Sequence, residues 1–374
     1  MKLALFGGSF DPVHTEHVRL VKAAKDALGL DKIVVIPSFI APHKAGGAVA
    51  GGEERLEMCR LAFRSLPFVE VSDCEIVAGG TSYSYLTCQN FAEQYPNAEL
   101  FFLVGADMLE NFFTWRKPEE IVRLARLVAC GRGESVEQSL HARFLSRFGT
   151  DFIGLPFTGK EVSSTRIRTD LAFGKQAAID DAVAAYIAER GLYAHPAIAP
   201  ALALETEERR EHSYRVACMA CSRARSLGVS EEKARLAAAL HDCGKSVPLS
   251  SPLLAGFAPP EGVPAPVLHQ YTGAYLAERA FGISDAEILS AIRCHTSAKE
   301  NMSPLDKLIY LADLLEEGRS YGGVEALRAL FWEDIDACLT RSLKEQIEYL
   351  ERAGKPVYPL TRRAYEWIKQ KNRA

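Results

Sequence analysis

No stretch of these 374 residues approaches the roughly 20 apolar residues that a membrane-spanning helix needs, so a soluble protein is expected. The first residues have the pattern of a strand and lack a charged segment ahead of an apolar core, which points away from a secretory leader and toward the cytoplasm. A basic excess is missing too: net charge is −4 and the isoelectric point is near 6.2. That excludes the broad positive field that holds a nucleic-acid backbone and leaves small phosphate ligands gripped by local sites. The chain has neither a GxxxxGK[ST] loop nor a GxGxxG fingerprint, and no internal repeat or low-complexity tract. Its nine cysteines are an odd number, scattered from Cys59 to Cys338, and read as thiols in a reducing compartment. Cys218 and Cys221 form one CxxC without a second pair, in a helical context that suits small buried residues better than a metal or redox couple.

What is present is an ordinary globular composition, 48% hydrophobic and 25% charged, over a length that suggests two domains. The first half alternates strands and helices. KLALF, KIVVIPS, VEVSDCEI, AELFFLVGAD, RLVACGR and DFIGLPF read as strands. HVRLVKAAKDALG, ERLEMCRLAFRSL, SYLTCQNFAEQY and PEEIVRLA read as helices, the first ending at Gly29. Such alternation predicts an α/β domain with a mainly parallel sheet, whose ligands sit at the carboxyl ends of strands. The Pro- and Ala-rich His195–Leu204 marks a boundary, giving a domain over 1–195, a linker over 196–204 and an all-helical domain over 205–374. In the helical part Ser230 is an expected cap, Ser284 with Glu287 an expected capping box, and Ser303-Pro304 an expected helix start.

Two glycines, Gly7 and Gly8, end the first strand, and His14 and His17 follow three apart at the start of a helix. Glycine lets backbone amides approach a ligand closely, and a helix N-terminus favours anions. A distant segment, EVSSTRIR, adds the hydroxyls of Ser163, Ser164 and Thr165 with Arg166 and Arg168 behind them, a cluster suited to phosphate oxygens.

GGSFDPVHTEH together with VSSTRIR resembles the nucleotidyltransferase superfamily with its HxGH and ISSTxIR signatures. PSFIAPHK, GTSYSYL and FFLVGADMLENFFTWRKPEEI narrow the likeness to bacterial nicotinate-nucleotide adenylyltransferases over nearly all of residues 1–195. The resemblance implies a Rossmann-like domain that joins nicotinate mononucleotide to ATP, with Mg²⁺ bound along with the ATP. It implies that Gly7, Gly8, Ser9 and Phe10 line the ATP side, and that His14 and His17 hold phosphates and stabilise transition-state charge. Ser164, Thr165 and Arg168 would grip the triphosphate from the opposite side, with Lys44 assisting. Tyr83 and Trp115 would border the pyridine ring, and Asp107 would bind ribose hydroxyls. The chain departs from the family at Glu16, where HTEH stands for HxGH, so the direction of that carboxylate matters to the site. GTSYSYL also lacks the usual Thr-x-Asp after its tyrosine, and Ala45–Gly52 reads as a loop able to close over substrate.

The second half holds His212, His241, His269 and His295, with Asp242 directly after His241 and Asp313 in an otherwise apolar helix. Imidazole and carboxylate donors suit Fe, Mn or Zn. The pattern H…HD…D resembles the HD-domain phosphohydrolases, and HDCGK, HQYTGAYLAERAFG and AIRCHTSAKENMSPLDKLIYLADLLEEGR resemble their symmetrical bis(5′-nucleosyl)-tetraphosphatase branch. The resemblance implies hydrolysis of diadenosine tetraphosphate to two ADP at two metal ions, iron first, with manganese or zinc as alternatives. It places His212, His241, Asp242 and Asp313 on one metal, and His269 and His295 on the other, with Asp242 bridging. Lys245 would meet a phosphate, Thr296 and Arg319 are further substrate contacts, and Cys243 is a packing residue.

The expected whole is a bifunctional enzyme acting on small nucleotides: ATP, nicotinate mononucleotide and dinucleoside polyphosphates. Two alternatives stand beside it: an adenylyltransferase with another acceptor, such as phosphopantetheine, or one half acting as a nucleotide sensor without turnover.

Overall fold

The computed structural model describes residues 1–41, 48–131, 134–160 and 162–371, with the side chains of Asp107 and of residues 134–138 outside that description. The chain divides into two compact units, Met1–Arg168 with Ala177–Tyr193, and Thr169–Gln176 with Ala194–Ala374. No described helix is long and apolar enough to cross a membrane.

The first unit is a three-layer α/β arrangement. Six strands, β1 (Lys2–Gly8), β2 (Lys32–Pro37), β3 (Val69–Val71), β4 (Glu99–Gly105), β5 (Arg126–Cys130) and β6 (Ile153–Leu155), form one parallel sheet in the order β3-β2-β1-β4-β5-β6. Helices α1 (Thr15–Leu28), α2 (Gly52–Phe63), α3 (Cys74–Ala78), α4 (Ser84–Gln94), α5 (Ala106–Phe112), α6 (Pro118–Leu124), α7 (Glu134–Phe148), α8 (Ser164–Ala172, of which the part up to Arg168 belongs to this unit) and α9 (Asp181–Arg190) connect and follow them. Leaving β1 the chain first builds outward through β2 and β3, then returns to place β4 on the other side of β1. The carboxyl ends of β1 and β4 therefore flank the switch point, the crevice where open parallel sheets bind ligands. Gly7 and Gly8 end one strand and Gly105 ends the other. Leu3, Leu5, Val34 and Ile36 point to the same buried cluster as Phe102 and Val104, as the period of two requires.

VEVSDCEI is a strand only over Val69–Val71, which pairs with Ile33–Val35; the chain then turns into α3. RLVACGR and DFIGLPF do not follow one another directly: the fifteen-residue α7 intervenes. Strands β5 and β6 are parallel, Val128 opposite Ile153, and parallel neighbours need a crossover of that size.

The second unit is helical throughout its described residues: α10 (Ile198–Ala203), α11 (Glu207–Ala224), α12 (Glu231–Leu240), α13 (His269–Arg279), α14 (Ala286–Cys294), α15 (Pro304–Leu315), α16 (Val324–Glu333), α17 (Ile335–Arg352) and α18 (Pro359–Lys371). The segment expected to be a linker over 196–204 is α10 instead, and its Ile198, Ala201 and Leu202 are buried in the core of this unit. Alanine is a strong helix former and an apolar one, so the same composition that marked a boundary also builds a packed helix. Ser230 caps α12 by accepting from Lys233 N–H, and Ser303 forms a capping box with Asp306 ahead of α15. At α14 the cap is Asp285 rather than Ser284, accepting from the N–H groups of Glu287 and Ile288. Alanine-rich faces of α11 and α12 pack closely, with Ala217, Ala220, Ala234, Ala237 and Ala238 fully buried. No disulfide joins the nine cysteines among the described residues.

Candidate active sites

The first site gathers at the carboxyl end of β1. A side chain at Gly7 would enter open space, whereas a Cβ at Gly8 would press to 3.1 Å from the Phe10 ring. Phe10 itself is buried in a left-handed backbone conformation (φ 47°) and packs edge-on against Phe6 and His17, at 5.2 and 5.0 Å between centroids. Its ring thus forms the floor beneath His17. His14 caps α1 with an extended backbone, and its N–H donates to His17 Nδ1 at 3.2 Å. The two imidazoles stack at 3.6 Å. Burial, against a smaller pull from Glu16, pushes His14 down to about 4, and its buried Nδ1 makes no hydrogen bond.

The loop from Ser9 to Pro12 is held from several sides. Arg55 donates to the carbonyls of Ser9 and Ala50 at 2.7 and 3.1 Å. Asp11 accepts from the N–H groups of Val49 and Ala50 and from the Tyr193 hydroxyl. These partners account for the described part of the small-residue loop, which is tied to Asp11; residues 45–47 and Lys44 lie outside the described residues. Asp11, Arg55 and Tyr193 escaped the sequence reading because nothing local marks them; only folding brings them together.

The distant serine-threonine-arginine segment meets the same loop. Ser164 Oγ donates to the Pro12 carbonyl at 3.0 Å. Arg168 is buried, donates to the Asp11 carbonyl, and reaches Thr165 Oγ1 at 3.0 Å. Ser163 Oγ accepts from Arg166 N–H at 3.2 Å, at the start of α8. A cavity of about 510 Å³ opens here, with His14, His17, Glu16, Phe157, Lys160 and Ser163 in its wall. It falls in the size range of small-ligand pockets.

Farther along, Tyr83 begins α4 and Trp115 packs edge-on against Phe102 at 6.4 Å and tilted against Phe112 at 5.2 Å. Both lean on the same apolar cluster. The Arg116 guanidinium lies 4.6 Å from the centre of the Tyr83 ring, a cation that the sequence reading passed over within TWRKPEE. Asp107 lies in the first turn of α5, its side chain outside the description.

The second site is built on five helices and the turns that end them. His212 lies in α11, His241 ends α12, His269 begins α13, His295 ends α14 and Asp313 lies in α15. His212 Nε2 is 2.9 Å from Asp313 Oδ1 and 3.4 Å from His241 Nε2. His269 Nε2 and His295 Nε2 are 3.0 Å apart and lie 3.3 and 3.6 Å from Asp242 Oδ1. The donor atoms of His212, His241 and Asp313 fall within 4.8 Å of one another, as do those of His241, Asp242 and His295. His241 is common to both groups.

The orientation of these rings is fixed from behind. His241 Nδ1 lies 2.7 Å from the Ala238 carbonyl and His295 Nδ1 lies 2.8 Å from the Ile292 carbonyl. An Nδ1–H donated to a carbonyl leaves the Nε2 lone pair facing inward, the usual outer partner of a metal-ligating histidine. His212 Nδ1 meets the buried Glu316 carboxylate at 3.1 Å. Burial pushes His241 down to about 4, and burial with the neighbouring His295 pushes His269 down to about 3. Burial alone would also lower His212, but Asp313 and Glu316 override it and raise it. Asp242 Oδ1 is buried without a hydrogen bond, while Oδ2 accepts from Arg209 at 2.5 Å and Lys245 at 3.1 Å. Convergent imidazole nitrogens around an orphaned carboxylate oxygen are a donor set that fits divalent cations.

Thr296 Oγ1 lies 2.9 Å from His269 Nε2, and Arg319 donates to Asp313 Oδ1 at 2.6 Å. Cys243 is fully buried, its thiol raised by burial and directed at the Gly273 carbonyl, consistent with packing. Arg209 and Glu316 are the residues missed by sequence; Glu316 was visible only as one of two adjacent acids in LLEEGR.

The Cytidylyltransferase-like family matches residues 5–170 and the HD domain family matches residues 209–318. Over 322 residues the chain is 32% identical to a protein of Mycoplasma pneumoniae named "Probable nicotinate-nucleotide adenylyltransferase/Ap4A hydrolase", covering 84% of this chain and 88% of the relative. The counterpart of the same name in Mycoplasma genitalium is 29% identical over 334 residues, covering 87% and 91%. A crystal structure described as a predicted HD superfamily hydrolase involved in NAD metabolism, from Clostridium acetobutylicum, is 30% identical and covers 47% of this chain and 96% of its own, at a TM-score of 0.44. The chain belongs to the nicotinate-nucleotide adenylyltransferase/Ap4A hydrolase family, in which a cytidylyltransferase-like domain precedes an HD domain.

Proposed function

We propose that the chain is a bifunctional enzyme. Its first unit transfers the adenylyl group of ATP to nicotinate mononucleotide, giving deamido-NAD and pyrophosphate; its second hydrolyses diadenosine tetraphosphate to two ADP. The observation that carries the first activity is the meeting of His14 and His17 with the start of α8 around one cavity. In the forward step a phosphate oxygen of the mononucleotide forms a bond to the α-phosphorus, and the α–β bridging bond breaks to release pyrophosphate. Such a displacement needs positioning and charge neutralisation and no covalent protein intermediate. Gly7, Gly8 and Ser9 offer close backbone approach, His14 and His17 face the phosphates, and Ser164 and Thr165 close the other side. Arg168 acts by securing the Asp11 carbonyl and Thr165, and Phe10 by supporting His17. Tyr83, Trp115 and Asp107 serve the mononucleotide, with Arg116 as the cation for the pyridine carboxylate. Mg²⁺ accompanies the ATP.

The observation that carries the second activity is the convergence of four Nε2 atoms on Asp242 and Asp313. His212, His241, Asp242, His269, His295 and Asp313 would hold two divalent ions, iron or else manganese or zinc, which supply Lewis-acid polarisation of phosphoryl oxygens and an acidified water. Lys245, Arg209 and Arg319 neutralise the carboxylates and leave cationic donors at the rim for phosphate oxygens; Thr296 orients His269. The test is a pair of variants. His17→Ala should lose adenylylation and keep hydrolysis, and His241→Ala should do the reverse. Loss of both activities in either well-folded variant would contradict two independent sites.

A further inference from the structure

We propose that Glu16 is a positioning residue of the first site: its carboxylate straps residues 157–160 to the start of α1 and so presets one wall of the cavity in which ATP is held. This rests on the adenylyltransferase reading above. The residue stands where the signature it resembles has glycine, and a glutamate there could have filled the cavity or turned to solvent. It does neither. The side chain is only 9% exposed and lies along the cavity wall. Oε2 accepts from the N–H of Lys160 at 2.9 Å, across 144 residues of chain. Both oxygens lie 2.7 Å from one Arg19 nitrogen, and the Arg19 guanidinium sits 5.5 Å from the centre of the Phe157 ring. Gly159 fits between: a Cβ there would stand 3.1 Å from the Phe157 ring and 3.5 Å from Glu16 Oε2.

The carboxylate therefore holds the segment directly at the Lys160 N–H and, through Arg19, at the Phe157 ring, with Gly159 leaving room for both. A buried carboxylate is retained only when paired and hydrogen-bonded, and this one is. With glycine at position 16 the Lys160 N–H loses its acceptor, and this part of the wall must be ordered by the nucleotide at a cost to affinity. With glutamate the wall is ordered before ATP arrives.

The test uses the full-length chain with Glu16→Gly and Glu16→Gln. ATP affinity is measured by calorimetry with ATP and Mg²⁺ in the absence of acceptor, and KM for ATP and kcat are measured with nicotinate mononucleotide. Glu16→Gly should weaken ATP about tenfold, the scale of one lost charge-assisted hydrogen bond, with kcat at saturating ATP within about twofold. Glu16→Gln keeps an acceptor for Lys160 N–H and should stay within about threefold of the unsubstituted chain. The kcat at saturating ATP, together with an unchanged far-UV circular dichroism spectrum, serves as the folding control for the first unit. ATP binding as tight or tighter in Glu16→Gly, or Glu16→Gln as weak as Glu16→Gly, would overturn the strap. Failure of the unsubstituted chain to form deamido-NAD would overturn the adenylyltransferase reading instead, and the calorimetric affinities would still decide the strap.

Discussion

Replacing Glu316 by glutamine removes one negative charge from behind His212 without changing shape. In the native arrangement Oε1 accepts from His212 Nδ1 at 3.1 Å, while Oε2 accepts from Arg215 Nε at 2.5 Å and from Gly318 N–H at 2.6 Å. Burial would raise this carboxyl, but the His212 and Arg215 contacts hold it down to about 2. A glutamine offers one oxygen, so at least one of these three donors must then face an NH₂ group. Outer partners of this kind change metal affinity by about 10- to 100-fold, or about 1.4 to 2.7 kcal/mol. The assay is diadenosine tetraphosphate hydrolysis against concentration of added metal after chelation. The half-saturating concentration should rise by about 10- to 100-fold, with most of the rate recovered at saturating metal and adenylylation unchanged. A variant with the native half-saturation point and a lower maximal rate would refute the argument, because Glu316 would then act on substrate and not on His212.

Three further outcomes are expected. Gly244→Ala places a Cβ 2.4 Å from Gly273 N and from Thr272 Oγ1, so thermal unfolding of the second unit should shift by about 2 kcal/mol or more; an unchanged Tm would contradict the close approach. His14 has a folded value of about 4, below its unfolded value near 6.5, so the unfolded chain binds more protons between those limits. The contribution of His14, about 3 kcal/mol, is fully present above pH 6.5 and is lost as pH falls toward 4. Hydrogen exchange of the first unit should report that loss in the native chain and a smaller one in His14→Asn; identical pH profiles would contradict it. Arg116→Ala should raise KM for nicotinate mononucleotide and leave KM for ATP unchanged, and a change confined to ATP would remove Arg116 from the acceptor side.

Much of this molecule is written locally. The β1 strand ending in Gly7 and Gly8, the helix that follows and its stop at Gly29 follow from period, chirality and spacing, and so do the helices that carry His212, His241 and Asp313. What failed was whatever depended on a neighbour. Helix α7 was passed over although Leu140, Phe144 and Phe148 recur every four residues, because no strand pairing was available to demand a crossover there. Helix α10 looked like a linker until its alanines met the core of the second unit. The same limit applies to the sites. Ligand-type residues announce themselves by type, whereas Glu316, Arg209, Asp11 and Arg55 acquire their roles only from distant partners. Glu16 is the intermediate case: sequence marked it as a departure, and only the position of Lys160 and Gly159 gives the departure a purpose.

Two separate chemistries share one chain, and the second depends on bound cations. The most direct measurement follows deamido-NAD formation and diadenosine tetraphosphate hydrolysis on one purified sample, before and after chelation and then after adding back Fe²⁺, Mn²⁺ or Zn²⁺, with Mg²⁺ present for the first reaction. Hydrolysis should vanish with the stripped metal and return with at least one of those ions, while deamido-NAD formation persists. Hydrolysis that survives complete removal of metal, or that no added ion restores, would contradict the account.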